Sequence, residues 1–280
     1  MDNILIQKFI KNAIAEDVGD GDHTSLSTIP LNTQGKAKLL VKENGILAGV
    51  ELAEAIFTEI DPQLRMEVLI KDGEKVKIGD IAFTVEGSTH SILLAERLVL
   101  NCMQRMSGIA TVTKKIVSLL EPYKTKILDT RKTTPGMRYL EKWAVRIGGG
   151  VNHRTGLYDM ILIKDNHVDY AGGIANAVNA AHAYLDKNHK KLQIEVEVRN
   201  LNELNEVLEV GNIDRIMLDN FTLTDLKEAV QKVNGKYLTE ASGGITESNV
   251  VDYAQCGVDY ISMGALTHSV KSLDLSLKAF

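Results

Sequence analysis

Leu192-Gln193-Ile194-Glu195-Val196-Glu197-Val198, a helical stretch over 201–210, and then Arg215-Ile216-Met217-Leu218-Asp219 form the segment whose reading decides the fold. An apolar run ends in charged residues, a helical stretch follows, and the next apolar run repeats the pattern. Strands alternating with helices predict parallel βαβ units. Outward from this segment the unit recurs, with apolar runs at 126–129, 160–164, 237–242 and 260–264 and helical stretches at 169–187, 223–233 and 246–256. Six such runs predict a compact α/β barrel short of the usual eight strands, with an open doubly wound sheet as the alternative. Both arrangements place their chemistry beyond the C-terminal ends of the strands. Those ends read Asp129-Thr130-Arg131-Lys132, Lys164-Asp165-Asn166-His167, Glu195-Val196-Glu197, Asp219-Asn220, Glu240-Ala241-Ser242-Gly243-Gly244 and Met263-Gly264-Ala265. One rim therefore gathers cations, carboxylates and glycines.

Residues 1–110 follow another pattern. Ile6, Phe9, Ile10, Ala13 and Ile14 have helical spacing, and 16–22 reads as an acidic, glycine-bearing loop. Residues 36–50, 64–70 and 80–86 read as strands of a small sheet, and 90–110 as a long helix. The stretch 71–80 is similar to the strand-turn pattern of biotinyl and lipoyl carrier domains. It lacks a lysine in a carrier's hairpin context and reads as a sheet turn.

The chain has 280 residues, 44% of them hydrophobic, enough for one large barrel or two ordinary domains. Its net charge of −5 argues against a nucleic-acid binder but leaves room for a locally basic cleft. That cleft has a candidate: residues 129–167 carry seven Lys/Arg against four Asp/Glu. Cys102 and Cys256 form no CxxC pair and read as buried apolar residues in a reducing compartment. No signal peptide is evident and no apolar run is long enough to cross a membrane, so the expected location is the cytoplasm.

Four rim cations, Arg131, Lys132, Arg154 and Lys164, suit a ligand with two or more negative charges, since arginine presents a planar fork to carboxylate or phosphate. Ordinary surface charge is the alternative for any one of them. Glu197 and Asp219 are hard oxygen donors of the kind Mg²⁺ accepts, or ion-pair partners of the cations. Glu195 shares the strand face of Glu197, so either serves as the primary carboxylate. Ser242, Gly243, Gly244 and Gly264 offer backbone N–H groups to a phosphate, or simply make tight turns. His153 either donates to an anion or is a solvated loop residue. Arg97, on the long helix, is solvated, paired with Glu96 or Glu43, or aimed into a site on another chain. His90, His182 and His189 have no metal-ligand spacing, and His23 reads as a loop residue.

With these residues placed, the chain resembles the quinolinate phosphoribosyltransferases over essentially its whole length. The resemblance runs through Glu16-Asp17-Val18-Gly19-Asp20-Gly21-Asp22-His23-Thr24, Ala95-Glu96-Arg97, Leu100-Asn101 and Ser107-Gly108-Ile109-Ala110-Thr111. Its most specific parts are Asp129-Thr130-Arg131-Lys132-Thr133-Thr134-Pro135-Gly136 and Gly148-Gly149-Gly150-Val151-Asn152-His153-Arg154. Ile163-Lys164-Asp165-Asn166-His167, Glu195-Val196-Glu197-Val198, Leu218-Asp219-Asn220-Phe221, Ser242-Gly243-Gly244-Ile245 and Gly264-Ala265-Leu266-Thr267-His268-Ser269 complete it.

The resemblance implies an N-terminal α/β sandwich over 1–110, with 270–280 packing back on it, and an incomplete barrel of six or seven strands over 111–269. It implies a homodimer with shared active sites. The implied reaction joins quinolinate to 5-phosphoribosyl 1-pyrophosphate with Mg²⁺, giving nicotinate mononucleotide, pyrophosphate and CO₂. In that scheme Arg131, Arg154 and His153 hold the quinolinate carboxylates, with Arg97 arriving from the partner subunit. Lys132 and Lys164 face the substrate carboxylate and the pyrophosphate, and Glu197 and Asp219 serve the ribose hydroxyls and Mg²⁺. Ser242, Gly243 and Gly264 cradle the 5-phosphate, with Gly244 beside them.

Overall fold

The computed structural model describes residues 3–280 and divides the chain into two compact units. The first holds the chain through Lys114, then Thr134–Gly149 and Ser269–Phe280; the second holds Lys115–Thr133 and Gly150–His268. The chain begins with α1 (Asn3–Val18), α2 (His23–Thr28), β1 (Gln34–Val41), β2 (Gly45–Ile46), α3 (Val50–Ile60), β3 (Arg65–Val68), β4 (Lys75–Val76), β5 (Ile81–Ser88) and α4 (Thr89–Leu120). There follow β6 (Lys126–Leu128), α5 (Arg138–Ile147), β7 (Ile161–Ile163), α6 (Asp165–Ala171), α7 (Ile174–Lys187), β8 (Ile194–Val198), α8 (Leu201–Val210) and β9 (Arg215–Asp219). The last elements are α9 (Leu223–Val233), β10 (Leu238–Ser242), α10 (Val250–Gln255), β11 (Tyr260–Ser262), α11 (Ala265–His268) and β12 (Leu275–Ala279).

In the first unit an antiparallel sheet runs in the order β12-β1-β5-β3, so the C-terminal strand pairs with β1, from Ala37 opposite Ala279 to Val41 opposite Leu275. Leu39, Val41 and Phe83 are fully buried, and Phe83 meets Phe57 of α3 edge to face at 5.9 Å. Each such side chain contributes roughly 1.5–3 kcal/mol by leaving water. Two helices of ten residues or more have no counterpart in the sequence reading, and neither do the short α2 and α11. The start of α3 is capped by Asp72, whose carboxylate accepts the Val50 N–H at 2.9 Å from 22 positions away. A cap so remote leaves no local signature. Helix α5 lies within a stretch read only as a glycine-flanked basic patch, yet it buries Leu140, Glu141, Trp143 and Ala144. It also places 134–149 in the first unit, inside the range assigned to the barrel. Smaller differences follow. Glu16 and Asp17 finish α1 rather than opening a loop, and His23 begins α2 behind the Asp22 cap. Residues 71–80 supply β4, which pairs with β2.

The second unit is built on a six-stranded parallel sheet, ordered β6-β11-β10-β9-β8-β7. This agrees with the incomplete barrel. The segment after α5 extends it at the β6 edge: Val151 bridges Leu128, donating its N–H to the Ile127 carbonyl at 2.9 Å. The predicted helix over 169–187 is two helices, because Gly172 and Gly173 take φ of +77° and +124°. All five residues of β8 are buried, as expected for a strand covered on both faces.

Candidate active site

Alternation along the strands decides which side chains reach the cavity at their C-terminal ends. Successive residues point to opposite faces, so positions two apart share a face. Leu162 and Lys164 at β7, Glu197 on β8, Met217 and Asp219 on β9, Glu240 and Ser242 on β10, and Ser262 and Gly264 at β11 all line one cavity of about 880 Å³. Arg131 and Lys132 beyond β6 join them, with His153, Arg154, Gly243 and Gly244. Eleven of the twelve expected site residues thus share one cavity. Arg97 is exposed on α4 in the first unit, does not line this cavity, and has no ion-pair partner among the described residues. Glu43, one of its expected partners, pairs with Lys271 instead.

The cations in the cavity are unevenly matched. Lys164 Nζ sits 3.1 Å from Glu197 Oε2. Arg131, Lys132 and Arg154 have no carboxylate partner among the described residues. Burial, followed by the charge of Arg131, pushes the Arg154 guanidinium below its usual range. Two arginines that repel one another across a cavity are arranged for an anion to come between them.

Glu195 and Glu197 separate by depth. Glu197 lines the cavity, whereas Glu195 is completely buried and lies 2.9 Å from His153 Nε2. Of the two, Glu197 is the one that reaches the cavity. His153 also turns inward: Nε2 is 3.4 Å from Glu240 Oε2, and Nδ1 accepts the Arg154 N–H at 2.7 Å. Burial alone would lower this imidazole, but the close carboxylates of Glu195 and Glu240 pull it upward. That pull favours a charged ring, yet the Arg154 N–H points at Nδ1 from 2.7 Å, where a second ring proton would meet it head-on; the geometry is that of a neutral ring carrying its proton on Nε2.

Two glycines are fixed by close approach. Gly243 has φ +98°, and a Cβ there would fall 2.2 Å from Asn220 Oδ1. Asn220 itself takes φ +55°, bonds the Ser242 carbonyl through its N–H at 2.9 Å, and donates Nδ2 to Asp219 Oδ2 at 2.6 Å. At Gly264 a Cβ would meet Lys132 Cδ and His268 Cδ2, both at 3.0 Å, so the missing side chain is what lets the lysine stem pass. Thr267 Oγ1 donates to the Lys132 carbonyl at 2.8 Å. Thr130, Asn220, Glu240, Ser262 and His268 also line the cavity and were not singled out from the sequence. Strand parity is the signal that could have found Glu240 and Ser262, two positions before Ser242 and Gly264.

The donor set fits Mg²⁺. Glu197 and Asp219 end neighbouring strands and open to the same cavity, two hard carboxylates of the number this ion usually takes from protein. The closest His/Glu group of the kind metals use, His153 with Glu195 and Glu240, lies deeper. Arg215 Nη1 already supplies positive charge to Glu240 there, at 3.0 Å.

Comparison with known proteins points one way. The model for the quinolinate phosphoribosyl transferase C-terminal domain matches residues 109–278, and that for the N-terminal domain matches 22–107. A tobacco (Nicotiana tabacum) protein named quinolinate phosphoribosyltransferase [decarboxylating] 1b is 51% identical, over 96% of this chain and 81% of its own length. The chloroplastic nicotinate-nucleotide pyrophosphorylase [carboxylating] of Arabidopsis thaliana is 49% identical, over 98% and 82%. The crystal structure of NadC from Streptococcus pyogenes superposes with a TM-score of 0.93 at 38% identity, covering 99% of this chain and 97% of that one.

Proposed function

The chain belongs to the quinolinate phosphoribosyltransferase family, and on that premise we propose how its cavity divides the work. The enzyme transfers phosphoribosyl from 5-phosphoribosyl 1-pyrophosphate to quinolinate with decarboxylation, giving nicotinate mononucleotide, pyrophosphate and CO₂ for NAD synthesis. The observation that carries the assignment of roles is the set of unmatched cations, Arg131, Lys132 and Arg154, on the rim that also holds Glu197 and Asp219.

Arg131 and Arg154 take the two carboxylates of quinolinate, with His153 at the base of the clamp. Lys132 and Lys164 face the leaving pyrophosphate and the carboxylate beside it. Glu197 and Asp219 hold the ribose hydroxyls and Mg²⁺, which when bound lends positive charge to the leaving group. Ser242, Gly243, Gly244 and Gly264 present backbone N–H groups to the 5-phosphate. Leaving-group departure builds oxocarbenium character at the anomeric carbon. The lysines neutralise charge as it moves onto the pyrophosphate. The pyridine nitrogen attacks that carbon and becomes cationic, and the cation stabilises the electron pair left when CO₂ departs. No nucleophilic side chain is required; positioning and electrostatics supply the rate.

We further propose a homodimer in which the partner subunit's Arg97 completes the clamp, because Arg97 lies on α4, without an ion-pair partner. Mixing inactive Arg97→Ala chains with inactive Lys132→Ala chains should restore activity in the heterodimer. No recovery, with heterodimers demonstrated, would place the whole site within one chain. A cytoplasmic location is our reading of the two free thiols; among the described residues no helix is long and apolar enough to cross a membrane. Cys102 is buried, as expected, with its thiol pushed up to about 12 by burial, whereas Cys256 is only half-buried. The reaction assignment is tested by measuring CO₂ and pyrophosphate release with quinolinate and with nicotinate. Release of both from quinolinate, and no turnover of nicotinate, is expected; equal turnover of nicotinate would overturn the dicarboxylate clamp.

A further inference from the structure

At the floor of the cavity lies a set of charged residues of which the reaction above gives a task to His153 alone. Glu195 and Glu240 have no solvent exposure, and His153 is 8% exposed. The approach of His153 Nε2 to Glu195 is a close contact rather than an aligned bond, and neither Glu195 oxygen makes an aligned hydrogen bond among the described residues. Its burial therefore leans on the nearness of His153, 2.9 Å away, since an uncompensated buried carboxylate is costly. Glu240 is better provided for: Arg215 Nη1 donates to it at 3.0 Å, and that guanidinium lies over the Tyr260 ring at 4.5 Å.

His153 links this floor to the clamp. Its ring uses Nε2 toward Glu195 and Glu240 and Nδ1 toward the amide of Arg154. Its own backbone N–H donates at 2.9 Å to Asp129 Oδ1, a fully buried carboxylate just beyond β6. The base of Arg154 is thus set by the Asp129 carboxylate beyond β6, which anchors the His153 backbone, and by a ring held from β8 and β10. Arg154 Nη1 also reaches the Met160 carbonyl at 3.4 Å, before β7.

We propose that Glu195, assisted by Glu240, is a positioning residue for the dicarboxylate substrate: it holds the His153 ring so that Nδ1 receives the Arg154 amide and aims the Arg154 guanidinium into the cavity. His153 is then the support of the clamp rather than one of its fingers. This rests on reading Arg154 as a carboxylate ligand. Glu195 acts through His153, not on substrate, so its effect belongs to quinolinate binding and not to the phosphoribosyl end of the cavity.

The isosteric change Glu195→Gln keeps volume and removes the charge that orients the ring. KM for quinolinate should rise about tenfold or more, as small misplacements of a binding group do, with kcat and KM for 5-phosphoribosyl 1-pyrophosphate changed less than twofold. His153→Gln should do the same, and the double variant should be no worse than the poorer single one, because both break one link. Additive losses, or equal changes in both KM values, would overturn the proposal. A second arm needs no substrate. In ¹⁵N-imidazole-labelled protein, with His153 assigned from the His153→Gln spectrum, Nδ1 should show the shift of an unprotonated, hydrogen-bond-accepting nitrogen. In Glu240→Gln, the alternative if Glu195→Gln does not fold, that signal should broaden or shift. A protonated Nδ1 in the wild-type chain would sink the idea. If the wild-type chain released no CO₂ from quinolinate, the functional reading would fall while the ring measurement still judged the support.

Discussion

The same three strands carry two inward layers of polar residues that behave in opposite ways. In the deeper layer, Glu195 of β8, Arg215 of β9 and Glu240 of β10 form an ion-paired floor closed on itself through His153. Two positions further along β8 and β10, and four along β9, Glu197, Ser242 and Asp219 face the cavity, together with cations that have no carboxylate partner. Depth accounts for the difference. A charge withdrawn from water is tolerated only beside its counter-charge, whereas a charge at the rim keeps enough solvent to wait for a ligand. The floor therefore serves structure first and the rim serves binding first.

Substitution of the floor should cost the most, and should cost stability. Arg215→Ala strands the buried Glu240 carboxylate and is expected to lower unfolding free energy by about 3–5 kcal/mol. Urea denaturation of the variant measures this directly. A midpoint within error of the wild type would mean that the layer is not held together by charge. Arg131→Ala at the rim should invert the pattern. The urea midpoint should stay put while kcat/KM for quinolinate falls by the equivalent of about 2–5 kcal/mol, the cost of removing one partner from a desolvated charge pair. Near-normal turnover would take Arg131 out of the clamp. If both variants lost stability and activity together, the division between layers would itself be wrong.

The sequence carried most of the second unit and much less of its depth. Alternation of apolar runs and helices gave the parallel strands, and the strand ends gave the rim. Parity put Glu195 and Glu197 on one face but could not say which of them met the cavity, because depth along a barrel axis depends on how neighbouring strands are staggered. The register that pairs Glu197 with Met217 and Glu195 with Arg215 answers that, and it is a property of the sheet rather than of β8. His153 was found as a site residue for its place beside Arg154. Its inward turn depends on two carboxylates 42 and 87 positions later, which no local pattern links to it. Helix α3 was missed although Val50, Ala53, Ile56 and Phe57 keep helical spacing; only its start, capped by the distant Asp72, had no local signal.

The smallest expected effect separates support by charge from support by a single hydrogen bond. Thr267 is completely buried, and its hydroxyl donates to the Lys132 carbonyl at 2.8 Å, with the Gly264 carbonyl at 3.2 Å. Thr267→Val keeps the shape of the side chain and removes that donor. The stability loss should be about 1 kcal/mol, the usual scale for one neutral hydrogen bond. Lys132 would keep its charge but lose the bond that fixes its backbone, so KM for 5-phosphoribosyl 1-pyrophosphate should rise only a few-fold, about the same 1 kcal/mol. KM for quinolinate should hold steady, since Arg131 and Arg154 are untouched. If quinolinate binding weakened instead, Lys132 would belong with the carboxylate clamp, and the line between the two ends of the rim would have to be redrawn through it.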